Sequence, residues 1–145
     1  MCLKCKGKNK NKIIVMSDFG TTTQLAIENK DALETEHKLI DGCVISNGER
    51  CDHYLKIEQS NSFSHLFVEL KGSDVEKAVN QIMTTVKSGA VSIARQEKMH
   101  GAIVSTRNPL NSTETSKLKK KMLLNEKINL HFFKMKASAK ITSFT

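Results

Sequence analysis

The sequence predicts an α/β fold in which helices flank a mixed central β-sheet. Three observations indicate it. A Ser73-x-x-Glu76 capping box precedes apolar residues at i, i+3, i+4, i+7, i+8 and i+11, and Gly89 ends this amphipathic helix. Asn47-Gly48 between two strand-like runs predicts a tight hairpin. Strand–helix–strand connections follow, which favour parallel pairing with right-handed crossovers.

The predicted elements are helix, three strands, helix, strand, helix and strand. They cover residues 24–38, 40–45, 50–58, 65–71, from 75 to the stop at Gly89, 100–106, from caps at 111–113 to about 126, and 128–135. The first helix is predicted because its segment is rich in helix formers, and the three strands after it form a meander. Residues 13–16 fit either an edge strand or the lead into a helix, and residues 90–99 fit either a short helix or a loop. Pro109 ends the fourth strand.

Positive charge is concentrated in two segments of the chain. Residues 1–12 alternate lysine with polar residues and are predicted to form a basic flexible arm, whereas residues 13–145 form a single domain. A second lysine cluster lies at residues 117–121. The chain has 23 Lys and Arg against 15 Asp and Glu, a net charge of +8. Such an excess favours a polyanionic partner, nucleic acid first, although charge runs also occur as solvated faces.

The chain has no apolar stretch of about 18 residues, so the sequence predicts no contact with a membrane through a spanning helix. Its basic start has no apolar segment behind it, so we expect no secretion signal and a cytoplasmic location. Free thiols are then expected for the four cysteines. The alternative is a structural zinc ion, although the second pair lacks zinc-ribbon spacing. The cysteines are Cys2, Cys5, Cys43 and Cys51.

Two neighbouring predicted strands bring acids and a lysine close together. Asp52 opens one strand, and Glu69 and Lys71 end the next, where alternation projects both from one face. The two carboxylates and the Leu70 carbonyl suit a hard divalent ion, and Lys71 supplies positive charge or orients a water molecule. Phosphodiester hydrolysis needs these groups. By spacing alone, the same residues also fit an exposed cross-strand ion pair.

This arrangement resembles the core of the PD-(D/E)XK nuclease superfamily, which includes restriction endonucleases and Holliday-junction resolvases. The resemblance covers roughly residues 21–109: a helix bearing an acid, a hairpin, an Asp, a strand ending Glu-Leu-Lys and a capped helix. It implies a restriction endonuclease-like core of order α-β-β-β-α-β, with an additional C-terminal α-β. In that core Asp52 matches the metal-binding Asp, and Glu69 and Lys71 match the E-x-K pair.

Two further residues are assigned through the resemblance alone. Glu28 matches the helix acid that some members have, and Gln81 matches the glutamine that several branches place on the following helix. Cys51 stands where the motif's name has proline, a position that varies within the superfamily. The implied catalytic residues are Asp52, Glu69, Lys71, Glu28 and Gln81, and the implied metal ligands are Asp52, Glu69 and Leu70.

The expected function is therefore that of a nuclease that hydrolyses DNA phosphodiester bonds with Mg²⁺ or Mn²⁺. The alternative is a catalytically inactive nucleic-acid-binding or interaction module of the same fold. No separate sequence-reading domain is evident, so a homodimer or a subunit of a larger assembly is expected. The histidines are scattered over different strands without ligand spacing, and His53 and His65 are predicted to be residues of the sheet faces.

Overall fold

The computed structural model describes five stretches of the chain, residues 7–17, 22–40, 52–70, 74–106 and 112–145, with only the backbone of Ser112. Within them the strands are β1 (Lys8–Asn9), β2 (Ile13–Ser17), β3 (Gln24–Glu28), β4 (Thr35–Leu39), β5 (His53–Gln59), β6 (Ser62–Leu70), β7 (Lys98–Ser105), β8 (Ile128–Lys134) and β9 (Lys136–Lys140). The helices are α1 (Val75–Lys87), α2 (Ser112–Glu126) and a 3-10 helix, Ile141–Phe144. No helix in these stretches is long and apolar enough to cross a membrane.

A mixed six-stranded sheet of order β1-β4-β5-β6-β7-β8 forms the centre of the fold. The neighbours from β1 to β6 are antiparallel, whereas β6–β7 and β7–β8 are parallel. Helix α1 connects the first parallel pair and α2 the second, as parallel strands require. The predicted mixed sheet flanked by helices is confirmed.

Each face of this sheet is covered by its own apolar core. On one face α1 and α2 pack over Tyr54 and Phe67. On the other face Leu66 and Val68 pack against the second sheet and against Phe144. Alternation along β6 explains the division, because successive side chains of a strand point to opposite faces. The central strands are therefore buried on both sides.

Helix α1 follows the predicted amphipathic pattern, but its N-cap differs from the prediction. The carboxylate of Asp74 accepts a hydrogen bond from the Lys77 N–H at 3.1 Å and caps the helix. Ser73, the predicted cap, lies outside the described residues. Ser88 is the C-cap and Gly89 follows with φ 73°, as predicted for a helix end. The buried residues of α1 are Val75, Ala78, Val79, Ile82 and Thr85.

The prediction of a helix at residues 24–38 is wrong, because this segment forms β3 and β4. Strand β3 pairs antiparallel with β2 and parallel with β9 in a second, three-stranded sheet. Leu25 and Ile27 are fully buried while Ala26 between them is half-buried, which is the period of a strand. Pairing with distant strands outweighs the helix propensity of the segment.

Buried Asn29 stabilises the turn between β3 and β4. Its Nδ2 donates to the carbonyls of Leu33 and Asn11 at 2.8 and 2.9 Å, and its Oδ1 accepts from the Leu33 N–H at 2.9 Å. Ala32 in this turn adopts a left-handed conformation with φ 50°. Asparagine contacts of this kind compete with helical hydrogen bonds, so they give a physical reason for the missing helix.

The other strand and helix predictions have mixed outcomes. Strands predicted at 50–58, 65–71, 100–106 and 128–135 correspond to β5, β6, β7 and β8, and the basic helix predicted to end near 126 is α2. The segment at 13–16 is a strand, and 90–97 contains no helix. Lys8–Asn9, within the predicted arm, pair with β4.

Most of the segment predicted as the first strand of the meander lies outside the described residues. Ile40 belongs to a turn, and the rest of the segment predicted at 40–45 lies outside the described residues, as does the Asn47-Gly48 hairpin. Strand β4 takes the place beside β5 that the sequence assigned to residues 40–45.

Candidate active site

Asp52 and Glu69 lie side by side where β5 begins and β6 ends. His53 pairs with Val68, and the Asp52 N–H donates to the Val68 carbonyl at 3.1 Å. The antiparallel register therefore sets Asp52 opposite Glu69. Phe67, two residues before Glu69, packs beneath the helices, so both acids belong to the helix side of the sheet.

The carboxylate of Asp52 is held by the backbone of the neighbouring strand. The Leu70 N–H donates to Asp52 Oδ2 at 2.8 Å. Asp52 is 6% exposed and Glu69 5% exposed. A charge-assisted bond of this length restrains the carboxylate next to Glu69. The side chain of Leu70 points into the core on the opposite face.

Two buried carboxylates in adjacent positions are unfavourable unless positive charge lies close by. Lys71 follows Leu70 in the sequence, and alternation along a continued strand would put it on the face of Glu69. It lies outside the described residues, as does Arg107 after β7. Positive charge from a side chain or from a metal ion would stabilise the two adjacent acids.

The oxygen donors at this edge match the preferences of Mg²⁺ and Mn²⁺. Asp52 and Glu69 offer carboxylates, and Leu70 offers a backbone carbonyl, all hard ligands. Across the described stretches no group of three or more His, Cys, Asp or Glu side chains is arranged to hold a metal ion. A metal at this edge would be held by two carboxylates together with backbone and water oxygens, a combination that Mg²⁺ commonly uses.

Gln81 lies on α1, half-buried beside the face that packs on the sheet. It is seven residues beyond the N-cap Asp74, which corresponds to about 10 Å along the helix axis. The Thr85 hydroxyl donates to its backbone carbonyl at 2.8 Å. Because α1 starts at the edge that holds the two acids and runs away from it, Gln81 lies about two turns back from that edge.

The assignment of Glu28 to the same site is wrong. Glu28 is the last residue of β3, exposed, and it pairs with Ile13 and Lys140 in the second sheet. That sheet packs on the face opposite to α1 and α2. The core between the two sheets separates Glu28 from Asp52, because the predicted helix that would have carried Glu28 is a strand.

All four cysteines proposed for a zinc site, Cys2, Cys5, Cys43 and Cys51, lie outside the described residues.

A buried chain of hydrogen bonds lies on the same face as the two acids, further along the strands. Tyr54 Oη is 2.6 Å from His65 Nδ1, and His65 Nε2 is 2.9 Å from Glu97 Oε1. Glu97 Oε1 also accepts from the Ala94 N–H at 2.8 Å. Lys56 Nζ lies 3.9 Å from the centre of the Phe63 ring. No pattern in the sequence predicted this chain of hydrogen bonds, because Glu97 lies in an irregular segment.

Burial sets the protonation states along this chain. It raises the pKa of Tyr54, with smaller contributions from the charges of Glu36 and Glu97. It lowers the pKa of His65, although the bond to Glu97 opposes this. For Glu97 burial acts to raise the pKa, but the bonds from Ala94 and His65 outweigh it and the pKa is lowered. Neutral Tyr54 therefore donates to Nδ1 of a neutral His65, whose Nε2–H donates to the Glu97 carboxylate.

Two histidine pairs lie on the opposite face of the sheet. His37 Nε2 is 2.9 Å from His53 Nδ1, and His100 Nδ1 is 3.0 Å from His131 Nε2. Burial, followed by the charges of His131 and Lys98, lowers the pKa of His100 to about 4. The sequence did not reveal these pairs because they depend on the register between strands. The prediction that His53 and His65 belong to the sheet faces is confirmed.

A comparison of the chain with protein-family models, with curated proteins and with solved structures finds no match in any of the three.

Proposed function

We propose that this protein is a metal-dependent nuclease that hydrolyses DNA phosphodiester bonds. The observation that supports it most directly is the juxtaposition of Asp52 and Glu69, two buried acids on adjacent strands, with Asp52 Oδ2 bonded to the Leu70 N–H at 2.8 Å. An ordinary exposed ion pair would not need acids that are 5–6% exposed. Burying two like charges is costly and is typical of a site with a function.

In this proposal Asp52, Glu69 and the Leu70 carbonyl would hold Mg²⁺ or Mn²⁺, which would polarise a phosphoryl oxygen and acidify a bound water. The bond from the Leu70 N–H keeps the Asp52 carboxylate in place before any ligand arrives. Lys71 orients the attacking water or offsets the charge that develops on the phosphate. Gln81 assists from α1. These two roles rest on the resemblance to the PD-(D/E)XK superfamily.

The order of elements around the acids supports the finer fold proposal, a restriction endonuclease-like core. Three antiparallel strands, β4, β5 and β6, are followed by α1 and by β7, which pairs parallel with β6. Helix α2 and β8 supply the C-terminal addition. The described residues differ from that core in having β2 and β3 where its first helix would lie.

We extend the proposal to the assembly and location of the enzyme. Cutting both strands of a duplex requires two sites, so we propose a homodimer or a place in a larger complex. A cytoplasmic location, where DNA is accessible in cells without a nucleus and thiols stay reduced, is part of the same proposal. Light scattering of the purified protein measures the oligomeric state.

Cleavage of labelled single-stranded, duplex and branched DNA with Mg²⁺ or Mn²⁺ tests the activity. Asp52→Asn keeps an acceptor for the Leu70 N–H but removes the charge, so we expect a loss on the order of 10²–10³-fold, and a similar loss for Glu69→Gln and Lys71→Ala. Asp74→Asn, a change of an exposed acid at the same edge, is the matched control and should cleave like wild type.

The outcome of this assay separates the proposal from its alternative, a catalytically inactive nucleic-acid-binding module. That alternative is favoured by the net charge of +8. Binding of DNA without cleavage of any of the three substrates would establish the alternative. Cleavage that survives both Asp52→Asn and Glu69→Gln would rule out this site.

A further inference from the structure

A groove of about 500 Å³ runs between helix α2 and the edge strand β8. A smaller one of about 340 Å³ adjoins it on the same helix and shares two of its lining residues, Ser116 and Lys120. Together we call them the α2–β8 groove. The described residues that line it are Thr113, Ser116, Lys117, Lys119, Lys120, Leu123, Asn129, Leu130 and His131.

The lining is strongly basic and rich in hydrogen-bond donors. Lys117, Lys119 and Lys120 are exposed, and of the described residues that line the groove none has a carboxylate. Glu126 at the end of α2 is paired with Lys87 of α1 at 3.3 Å, which draws its charge toward the other helix. The positive charge of the groove is therefore not neutralised by any acid among its described lining residues.

Helical spacing aligns these donors along one face of α2. Thr113, Ser116, Lys117 and Lys120 follow i, i+3, i+4 and i+7, while the partly buried Leu118 and the buried Met122 pack on the sheet. Thr113 to Lys120 covers about 10 Å of helix axis. A row of this length can contact more than one phosphate of a bound strand.

The position of the groove relative to the two acids is fixed by the topology. Strands β6, β7 and β8 are parallel, so their C-terminal ends share the edge that holds Asp52 and Glu69. Helix α2 connects β7 to β8 and therefore starts at that edge and runs back from it. The groove thus leads away from the acids toward the outer side of β8.

We propose that the α2–β8 groove binds the sugar–phosphate backbone of a nucleic-acid strand. The identity of this ligand rests on the proposed nuclease function, but binding in the groove needs neither a metal ion nor cleavage. Lys117, Lys119 and Lys120 contact phosphates, and Thr113 and Ser116 donate hydrogen bonds to phosphate oxygens. The groove extends the contact of a bound strand beyond the bond to be cut.

A peptide added along the outer edge of β8 is the competing occupant, because β8 is the last strand of the sheet among the described residues. The chemistry of the lining favours the nucleic acid. Strand addition relies on main-chain hydrogen bonds, with side-chain pockets for specificity, whereas the groove offers three exposed lysines and two hydroxyls. Three lysines with no carboxylate among the described lining residues fit a polyanionic backbone.

Fluorescence anisotropy with labelled single-stranded and duplex DNA in EDTA tests the proposal across a salt series. The variant K119Q/K120Q removes two charges from the groove. The control K136Q/K140Q removes two charges from exposed lysines of β9 in the second sheet. We expect the Kd of the groove variant to rise about tenfold, and the slope of log K against log [salt] to become shallower by roughly 1.4–1.8. The Kd of the control should stay within about threefold of the wild-type value.

Equal weakening by both variants would mean that binding follows diffuse charge, and the proposal would fall. It would also fall if polyglutamate of matched charge displaced the DNA as well as unlabelled DNA does, since the groove would then accept any acidic chain. Thermal unfolding of both variants checks that neither substitution acts through stability.

The two proposals fail in different measurements. D52N/E69Q should bind DNA in EDTA as wild type does. If cleavage is lost but binding still depends on the groove lysines, the proposal for the groove is supported whether or not the protein is a nuclease. Cleavage that persists while K119Q/K120Q binds like wild type would overturn the groove and leave the nuclease proposal in place.

Discussion

Buried polar groups occur in two settings in this protein, and the two are built differently. At the end of β6, Asp52 and Glu69 bring two acidic groups together. Elsewhere in the six-stranded sheet, histidines are buried against neutral or complementary partners, as in the chain from Tyr54 through His65 to Glu97. The first setting concentrates like charge, and the second distributes hydrogen bonds.

The difference separates groups that stabilise the fold from groups that serve a function. Each bond in the chain from Tyr54 through His65 to Glu97 pairs a donor with an acceptor. Without it, both groups would be buried without a hydrogen-bond partner. Adjacent buried carboxylates work against stability, and proteins retain such arrangements where a ligand needs them. Substitutions in the two settings should therefore change the free energy of unfolding by different amounts.

The largest contrast is expected in the free energy of unfolding. His65→Leu removes the centre of the chain and leaves the Tyr54 hydroxyl and the Glu97 carboxylate without it, which should cost about 2–3 kcal/mol. Glu69→Gln keeps the shape of the side chain and removes one of two adjacent like charges, so it should change stability by less than about 1 kcal/mol in either direction. Urea unfolding of both variants measures the contrast. A larger loss for Glu69→Gln than for His65→Leu would reverse our assignment.

The pH dependence of stability is the next largest effect. Burial, with the charges of His131 and Lys98, holds the pKa of His100 at about 4, below the value of about 6.5 expected in the unfolded chain. Between these values the unfolded state binds the extra proton, so stability is fully present above pH 6.5 and is lost as the pH falls toward 4. We expect a loss of about 2 kcal/mol between pH 7.5 and 5 from this group. His100→Gln should flatten the curve, and an unchanged slope would exclude His100 as its source.

The smallest effect concerns a third acid at the same edge. Asp74 is exposed and caps α1 through the Lys77 N–H at 3.1 Å. Asp74→Ala should cost about 1 kcal/mol of stability, whereas Asp74→Asn, which retains an acceptor, should cost only a few tenths. Thermal unfolding measures both. Equal losses for the two variants would show that the charge of Asp74 matters more than its hydrogen bond.

The parts of the fold that could be predicted have a strong local pattern. Helix α1 has apolar residues at every helical interval and a clear end at Gly89, and each of the four later strands is a distinct run. Residues 24–38 gave the wrong prediction because their Glu, Lys and Ala content favours a helix. The short strands β3 and β4 are decided by pairing with β9 and β5, which no local window contains.

The candidate site was predictable only in part, for the same reason. Asp52 and Glu69 lie on consecutive antiparallel strands that a two-residue turn at 60–61 connects, and strand alternation puts them on one face, so their proximity depends on local features. Glu28 was assigned through a helix that does not form, so it lies on the far sheet. The bonds from His65 to Glu97 and from His100 to His131 join residues whose proximity depends on sheet register and on an irregular segment.

The parallel pairing of β3 with β9 has a consequence for the biosynthesis of the protein. It joins Gln24 to Lys136, so the second sheet waits for a strand that the ribosome makes long after β3. Until then Leu25 and Ile27, which this sheet buries, have no complete core to enter. During that interval the nascent chain exposes these apolar residues, so we expect β3 to be prone to aggregation until β9 has been made.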